Sequence, residues 1–238
     1  MYKRQVELTV QLPEAAEGVS VLDASGHPMR MQVLHHESAT NTFRVLVQAE
    51  NVPALGYTVL HAVPSGLKAS SSPVGDAAKL SRVGEEGNTF TLVNNRLKLT
   101  IDKRTGCMTS LTGAGHEEYL APNACGNQLQ TYKDTPKQYD AWNIDPGTLD
   151  GTMTPITALD SIAVVERGPQ RNTIRIVRTW QSSKFVQDIS LDAEADMVEV
   201  ANDIDWHETH VLLKAAFPLA ASSAKATYEI PYLSLIHI

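Results

Sequence analysis

The part of the chain best suited to chemistry is residues 134–145, which read DTPKQYDAWNID. Three Asp residues share this turn-rich segment with a Tyr and a Trp. Carboxylates accept hydrogen bonds from hydroxyl groups, and an indole ring can cover the apolar C–H face of a pyranose. The combination favours a loop that binds a hexose. The candidate substrate-binding residues are Tyr139, Asp140, Trp142 and Asp145.

A purely structural interpretation of this segment stays open. Asp, Asn and Pro are the usual residues of turns, because their side chains and fixed backbone angles stabilise turn geometry. On this interpretation, residues 134–145 form a surface loop that is capped by its own Asp side chains, and Trp142 turns into the core.

Residues 202–210, NDIDWHETH, resemble a metal site only superficially. Alternation would place Asp203, Asp205 and His207 on one face of a strand. His207 and His210 are three positions apart, which is a helical ligand spacing, and no converging third ligand is evident. We therefore expect a polar strand end here and assign no metal ligand.

Only one of the three tryptophans lies in a loop that is rich in polar partners. Trp180 has the same parity as Ile174 and Ile176 in a strand-like run, so it is expected to face the core. Trp206 is ambiguous. Trp142 is therefore the tryptophan that best fits a ligand platform.

Composition excludes several classes of partner and site. The 238 residues include 20 Lys and Arg against 27 Asp and Glu, a formal charge of −7, without a basic run. Nucleic acid and anionic membranes are therefore not expected partners. No apolar stretch approaches the roughly 20 residues of a membrane span, and no secretory signal is evident, so the cytoplasm is expected. Cys107 and Cys125 are expected to be unpaired thiols.

Period-two alternation dominates the chain and predicts an all-β protein. We predict a small antiparallel β-sandwich domain at 1–63, a linker at 64–87 and the first part of a larger β-sandwich domain at 88–232. The predicted strands of the first domain are 6–12, 29–35, 42–49 and 57–63. Those of the second are 89–93, 96–101, 107–111, 162–166, 173–180, 185–191 and 197–204. No segment has ten or more residues at helical spacing with start and stop signals, which disfavours parallel α/β folds.

Five segments in a fixed order resemble one known family. They are VPALGY at 52–57, NNRLKLTID at 94–102, DTPKQYDAWNID at 134–145, IDWHE at 204–208 and YEIPY at 228–232. Together they are similar to the C-terminal β region of glycoside hydrolase family 38, the α-mannosidases, of the cytosolic, vacuolar and bacterial kind. The resemblance implies that the larger domain is part of a β-supersandwich of the galactose mutarotase type.

The resemblance also implies a parent enzyme larger than this chain. Such a parent is a retaining α-mannosidase that hydrolyses terminal α-D-mannosyl residues of oligosaccharides, with zinc, an Asp nucleophile and an acid/base carboxylate in an N-terminal α/β barrel. A helical bundle follows the barrel. We therefore expect no catalytic residue and no zinc ligand in this chain, and no activity from it alone. Its expected partners are a mannose-containing oligosaccharide and the barrel and bundle of its own parent chain.

Within that resemblance, residues 139–142 are expected to lie near the mannose pocket of the barrel. A freestanding, non-catalytic carbohydrate-binding or interaction module remains the alternative. Residues 233–238, LSLIHI, depart from the family pattern and match one reading frame of a common transposon sequencing adapter, so we interpret them as a non-native tail.

Overall fold

The computed structural model describes residues 4–13, 16–50, 52–66, 80–140 and 142–221. These residues form sixteen β-strands and one short 3-10 helix, Thr148–Asp150, and they contain no α-helix. The all-β class predicted from alternation is confirmed. The strands are β1 Arg4–Gln11, β2 Gly18–Leu22, β3 Met31–Glu37, β4 Thr42–Ala49, β5 His61–Ser65, β6 Arg82–Glu86, β7 Thr89–Val93, β8 Leu97–Asp102, β9 Met108–Gly113, β10 Gln128–Lys133, β11 Thr154–Pro155, β12 Ser161–Glu166, β13 Arg171–Trp180, β14 Ser183–Asp192, β15 Glu199–Asp205 and β16 Val211–Ala216.

The first five strands form two small antiparallel sheets around a shared core. One sheet has the order β1-β4-β3, and the other pairs β2 with β5. Alternate residues of β4 point inward, so that Phe43, Val45 and Val47 are completely buried. They pack with Val19 and Val21 of β2. The strands predicted at 6–12, 29–35 and 42–49 are confirmed, whereas β2 was not predicted.

A strand lies inside the segment that composition indicates to be a linker. Arg82–Glu86 (β6) pairs along its whole length with β7. Gly84 weakens the strand signal, yet the sheet requires it, because a Cβ at this position would lie 2.6 Å from Oγ1 of Thr91. The prediction that 64–87 lacks strand structure is therefore wrong at its C-terminal end. Residues 67–79 of this segment lie outside the described residues.

Two four-stranded antiparallel sheets form the larger sandwich. Their orders are β6-β7-β8-β9 and β12-β13-β14-β15. Leu99 and Ile101 of β8 are completely buried against Ile174, Ile176 and Ile189 of the facing sheet. The strands predicted at 89–93, 96–101, 107–111, 162–166, 173–180, 185–191 and 197–204 are confirmed. A third sheet, with the order β11-β10-β16, was not predicted.

Cys107 and Cys125 form a disulfide, so the expectation of two unpaired thiols is wrong. Met108 and Gly126 exchange backbone hydrogen bonds of 3.1 and 2.9 Å in an isolated antiparallel bridge. The bridge holds the two segments together next to the cysteines, whose Cα atoms lie 4.9 Å apart. The pairing depends on this tertiary contact, which the cysteine spacing does not reveal.

The small β region and the larger sandwich meet at a polar contact that we call the junction. It comprises Glu7, Gln32, Glu166, Arg171 and Asp192. The Gln32 side chain is buried, and its Nε2 donates to the carbonyl oxygen of Arg171 at 3.0 Å. Its Oε1 accepts from the backbone N–H groups of Gln170 at 3.0 Å and Arg171 at 2.9 Å. One amide side chain thus bonds three backbone groups across the junction.

The Arg171 guanidinium joins carboxylates from both sides of the junction. It donates two hydrogen bonds of 2.7 Å to Glu166 and one of 2.7 Å to Glu7. Burial raises the pKa of Glu166, but hydrogen bonds from Arg171 and Thr173 outweigh burial and keep this pKa below its ordinary value. Asp192 behaves differently, because burial, only partly offset by Arg171, raises its pKa to about 6.

Candidate functional site

Residues 134–145 form the first part of the connection between β10 and β11. The Asp134 N–H donates to the His210 carbonyl oxygen at 2.8 Å, which fixes the start of the loop beside β16. Asp145 closes the loop, since its Oδ2 accepts from the backbone N–H of Lys137 at 3.0 Å and its Oδ1 from the Asn143 side chain at 3.1 Å. Self-capping by Asp, as in the structural interpretation of the segment, is therefore seen at Asp145.

Two aromatic rings of this loop face solvent. Tyr139 is 75% exposed and Trp142 is 84% exposed, so Trp142 does not turn into the core. The backbone turns at Tyr139, which has a φ of 57°. Its carbonyl oxygen accepts from the N–H groups of Trp142 and Asn143, both at 2.8 Å. This tight turn carries both aromatic side chains outside the core, where they are accessible to a ligand.

The other two tryptophans are packed. Trp180 and Trp206 stack with their ring centroids 6.4 Å apart. Trp206 also meets Phe185 edge to face at 6.2 Å. Both indoles pack against the small core cluster of Leu129, Ile156 and Phe185. The inward orientation predicted for Trp180 from its parity is confirmed, and Trp142 alone of the three is highly exposed.

A hollow of about 400 Å³ lies beside the loop, and we call it the Asp140 hollow. Its lining residues come from the loop and from the start of β16. They include Asp134, Asp140, Thr209 and His210. Of the four predicted site residues, Asp140 therefore lines this hollow.

The other five lining residues, among them Asp134, Thr209 and His210, were not predicted as site residues. Asp134 lies within the loop at 134–145. Thr209 and His210 follow β15, which is distant in the sequence. The pairing of Lys133 with Val211 in the β10–β16 ladder brings Asp134 and His210 together. No local pattern signals that pairing, because β16 lacks clear alternation.

The second polar cluster forms the end of β15 and the turn after it. His207 Nε2 lies 2.9 Å from Asp205 Oδ1, and Glu208 accepts from the Ser182 N–H and the Ser183 hydroxyl, both at 2.9 Å. These side chains bond to their neighbours. In the part of the chain that the structure describes, no group of three or more His, Cys, Asp or Glu side chains could hold a metal ion.

The described residues also contain no helix that is long and apolar enough to cross a membrane. Two carboxylates of the loop, Asp134 and Asp140, line the Asp140 hollow. The arrangement of exposed rings and carboxylates can bind a neutral ligand that carries many hydroxyl groups.

Comparison with known proteins agrees with the resemblance of the five segments. Residues 92–234 match the family model described as the glycosyl hydrolases family 38 C-terminal domain. Over 183 residues the chain is 30% identical to Alpha-mannosidase 2C1 of Mus musculus and 30% identical to Alpha-mannosidase 2C1 of Homo sapiens. Each alignment covers 76% of this chain and 17% of the relative.

A third relative, Alpha-mannosidase G of Dictyostelium discoideum, is 24% identical over 145 residues, which is 58% of this chain and 12% of that protein. The chain thus spans about a sixth of the length of the two mammalian relatives. The matched residues include the loop at 134–145, the Asp140 hollow and strands β8 to β16. The chain therefore belongs to the glycosyl hydrolases family 38 C-terminal domain family.

Proposed function

We propose that this chain is the C-terminal β region of a retaining α-mannosidase that removes terminal α-D-mannosyl residues from oligosaccharides. The observation that carries the proposal is the family match over residues 92–234, which include the loop with the exposed rings. The relatives are named as α-mannosidases. In this proposal, the β domains support the catalytic barrel of the parent, and the loop at 134–145 forms one edge of its sugar site.

The catalytic groups belong to the remainder of the parent. Retaining glycosidases use a nucleophilic carboxylate and an acid/base carboxylate about 5 Å apart on either side of the scissile bond. The described residues offer no set of three or more ligands for zinc, the metal that the family resemblance implies. The residues that the structure describes therefore do not fit the zinc site, and in this proposal their contribution is to bind and orient the sugar.

The exposed side chains of the loop suit that contribution. Trp142 and Tyr139 present apolar ring surface to solvent, where they can cover the C–H face of a pyranose. Asp140 lines the adjacent hollow and can accept hydrogen bonds from sugar hydroxyl groups. Asp145 acts differently, because its carboxylate is used by Lys137 and Asn143, so its contribution is to hold the loop in shape.

A separate segment supports the proposed scaffolding. Leu55 and Tyr57 lie between β4 and β5 and are 110% and 85% exposed. Val52 and Val59 of the same segment are 36% and 47% exposed. Four exposed apolar side chains in eight residues suit a surface that another domain of the parent covers, as exposed apolar patches generally mark interaction sites. This is the feature expected of a domain within a larger enzyme, and it does not favour a freestanding module.

The test is Asp140→Ala in the parent enzyme, assayed with an aryl α-mannoside. We expect kcat/KM to fall about tenfold or more, because a hydrogen bond to a charged group contributes roughly 1.5–3 kcal/mol. The melting temperature should stay nearly unchanged, since Asp140 is exposed. Asp150→Ala is the matched control, since Asp150 is exposed in the same connection but does not line the hollow. Unaltered kinetics in Asp140→Ala would exclude a direct role for this carboxylate.

A further inference from the structure

A second hollow adjoins the Asp140 hollow. It has a volume of about 230 Å³, and we call it the Trp180 hollow. Its lining includes Tyr132, Thr152, Thr154 and Trp180. His210 and Val211 line both hollows, so both spaces border the start of β16. Small-molecule sites usually have volumes of roughly 300–1,000 Å³. The two hollows together fall within that range, and the Trp180 hollow alone does not.

His210, which lines both hollows, has an unusual backbone conformation. Its φ is 55°, in the left-handed region that side chains other than glycine rarely adopt. Its carbonyl oxygen accepts from the Asp134 N–H at 2.8 Å, which ties the residue to the first residue of the loop. This conformation places a histidine, where glycine would be less strained, between the two hollows.

The Asp140 hollow contains a carboxylate with unmet hydrogen-bonding capacity. The Asp134 Oδ1 atom is buried and has no hydrogen-bond partner among the described residues. A buried polar atom left without a partner costs roughly 1–3 kcal/mol. Asp134 lines the hollow, so a ligand hydroxyl group beside it could donate to this carboxylate once the side chain turns toward the ligand.

The Trp180 hollow has a different character. Trp180 is fixed by its stacking on Trp206, so its ring is a rigid wall. Thr152 and Thr154 bring hydroxyl groups near it, and Tyr132 adds a second aromatic ring. Aromatic rings beside neutral hydroxyl groups suit a sugar better than a cation, and this hollow has no carboxylate in its lining.

We propose that the two hollows form one groove, the His210 groove, for two consecutive sugar units of a mannose-containing oligosaccharide. One sugar donates hydroxyl hydrogen bonds to Asp134 and Asp140, and its neighbour lies against Trp180 and Tyr132. The His210 imidazole lies between them and contacts the linkage. The identity of the sugar rests on the proposed function, whereas the groove itself rests on the geometry described here.

The first test measures binding to the 238-residue chain by calorimetry or by saturation-transfer NMR. The probes are α-1,2-linked mannobiose, methyl α-D-mannopyranoside and methyl α-D-galactopyranoside. We expect mannobiose to bind about tenfold or more tightly than methyl mannoside, because only the disaccharide fills both hollows. Equal affinity for the two mannosides, or no binding of mannobiose, would overturn the two-unit groove.

His210→Gly is the most informative variant. Glycine adopts positive φ without strain, so the substitution removes the imidazole and preserves the backbone. We expect the affinity for mannobiose to fall about fivefold or more and the melting temperature to be maintained or raised. His116→Gly is the matched control, since His116 is an exposed histidine with a φ of 66° that lines neither hollow. If both variants bind mannobiose like the unaltered chain, the groove proposal is wrong.

One variant in each hollow ensures that the test does not depend on a single variant that fails to fold. Asp134→Asn keeps the size of the side chain but replaces one acceptor oxygen with a donor, and it should weaken binding of both mannosides. Thr152→Ala changes an exposed residue of the Trp180 hollow and should weaken binding of mannobiose alone. Circular dichroism confirms folding in each case, and a folded pair without these effects would contradict the assignment.

The groove and the proposed function fail in different ways. If the parent hydrolyses an aryl α-mannoside while the variants leave mannobiose affinity unchanged, the groove proposal is overturned and the proposed function stands. If the chain binds mannobiose with the expected variant pattern while the parent lacks α-mannosidase activity, the groove stands and the proposed function is overturned.

Discussion

The junction and the His210 groove are both polar, but they use their polar groups in opposite ways. At the junction, the Gln32 side chain bonds three backbone groups, and Arg171 bonds two carboxylates. In the groove, a buried Asp134 oxygen has no partner among the described residues. Exposed rings of Tyr139 and Trp142 lie on the adjoining loop.

This difference separates stability from binding within one chain. Groups whose hydrogen bonds are completed inside the protein hold its parts together, and their removal leaves buried groups unsatisfied. Groups with unmet capacity lower the stability of the fold when they are buried, and they can bind a ligand. Substitutions at the junction should therefore change stability, whereas substitutions at the groove and loop should change binding.

The largest effect should come from Arg171→Ala. Arg171 and Glu166 side chains are only 19% and 16% exposed, and removal of Arg171 leaves Glu166 as a buried carboxylate without its cation. We expect a loss of about 3–5 kcal/mol in the free energy of unfolding, measured with urea. Arg175→Ala is the control on the same strand, because its pair with Asp188 is 47% and 28% exposed and should contribute less than about 1 kcal/mol. Equal losses in both variants would break the comparison.

Gln32→Ala should have the next largest effect. It leaves the N–H groups of Gln170 and Arg171 and the Arg171 carbonyl without their shared partner. We expect roughly 2–3 kcal/mol of destabilisation by urea unfolding, since unsatisfied buried groups are costly. Gln11→Ala, which removes one exposed hydrogen bond of 3.3 Å to Thr40, should cost less than about 0.5 kcal/mol. A loss for Gln32→Ala as small as that for Gln11→Ala would show that water replaces the junction bonds.

Asp192→Asn should stabilise the fold, because burial makes the ionised form of this junction carboxylate unfavourable. Its pKa of about 6 in the folded protein lies above the ordinary value of 3.8, so the folded state binds the proton more tightly. Ionisation at pH 7 therefore destabilises the fold, and the asparagine variant should be more stable there by about 2 kcal/mol.

The advantage of Asp192→Asn should decrease as the pH falls from 7 to 4, because the native carboxyl becomes protonated in the folded state through this range. Thermal melts of both proteins at pH 7, 6, 5 and 4 measure the difference. An advantage that grows toward pH 4 would contradict the raised pKa of Asp192.

The smallest effect on stability should come from Trp142→Ala. The ring is 84% exposed, so we expect the free energy of unfolding to change by less than about 0.5 kcal/mol. In the parent enzyme, the same change should raise KM for an aryl α-mannoside several-fold, because the contact between the indole ring and the C–H face of the sugar is lost. Thermal melts and steady-state kinetics test the two halves of this prediction. A large loss of stability with unchanged kinetics would show that Trp142 supports the fold, as the junction residues do, and does not bind sugar.

Local alternation made much of the sandwich predictable. In β4, β13 and β14, buried residues recur at alternate positions, and most of those at the centre of each strand are branched or aromatic. Val211–Ala216 (β16) is half-buried at most positions on both faces, so its sequence carries no alternating signal. Gly84 likewise hides β6, although the sheet needs a residue without a side chain there.

The candidate site could be predicted only in part. The composition of residues 134–145 identified Asp140 and the exposed rings, since their chemistry is a property of the residues themselves. His210 reaches the same hollow through strand pairing across the chain, from Lys133 to Val211. The junction is similar, because Gln32 and Arg171 are 139 positions apart. Contacts of this range depend on how sheets pack, which short patterns do not encode.

The disulfide between Cys107 and Cys125 makes the covalent structure of the protein depend on the redox conditions around it. Glutathione and thioredoxin would keep these cysteines as thiols in the cytosol, whereas an oxidising compartment would preserve the covalent link. The two forms differ by two hydrogen atoms. Because no Lys or Arg lies between Arg104 and Lys133, trypsin releases both cysteines in one peptide, residues 105–133. Mass spectrometry of that single peptide, from cells quenched with an alkylating agent, would therefore measure the fraction of molecules that carry the disulfide.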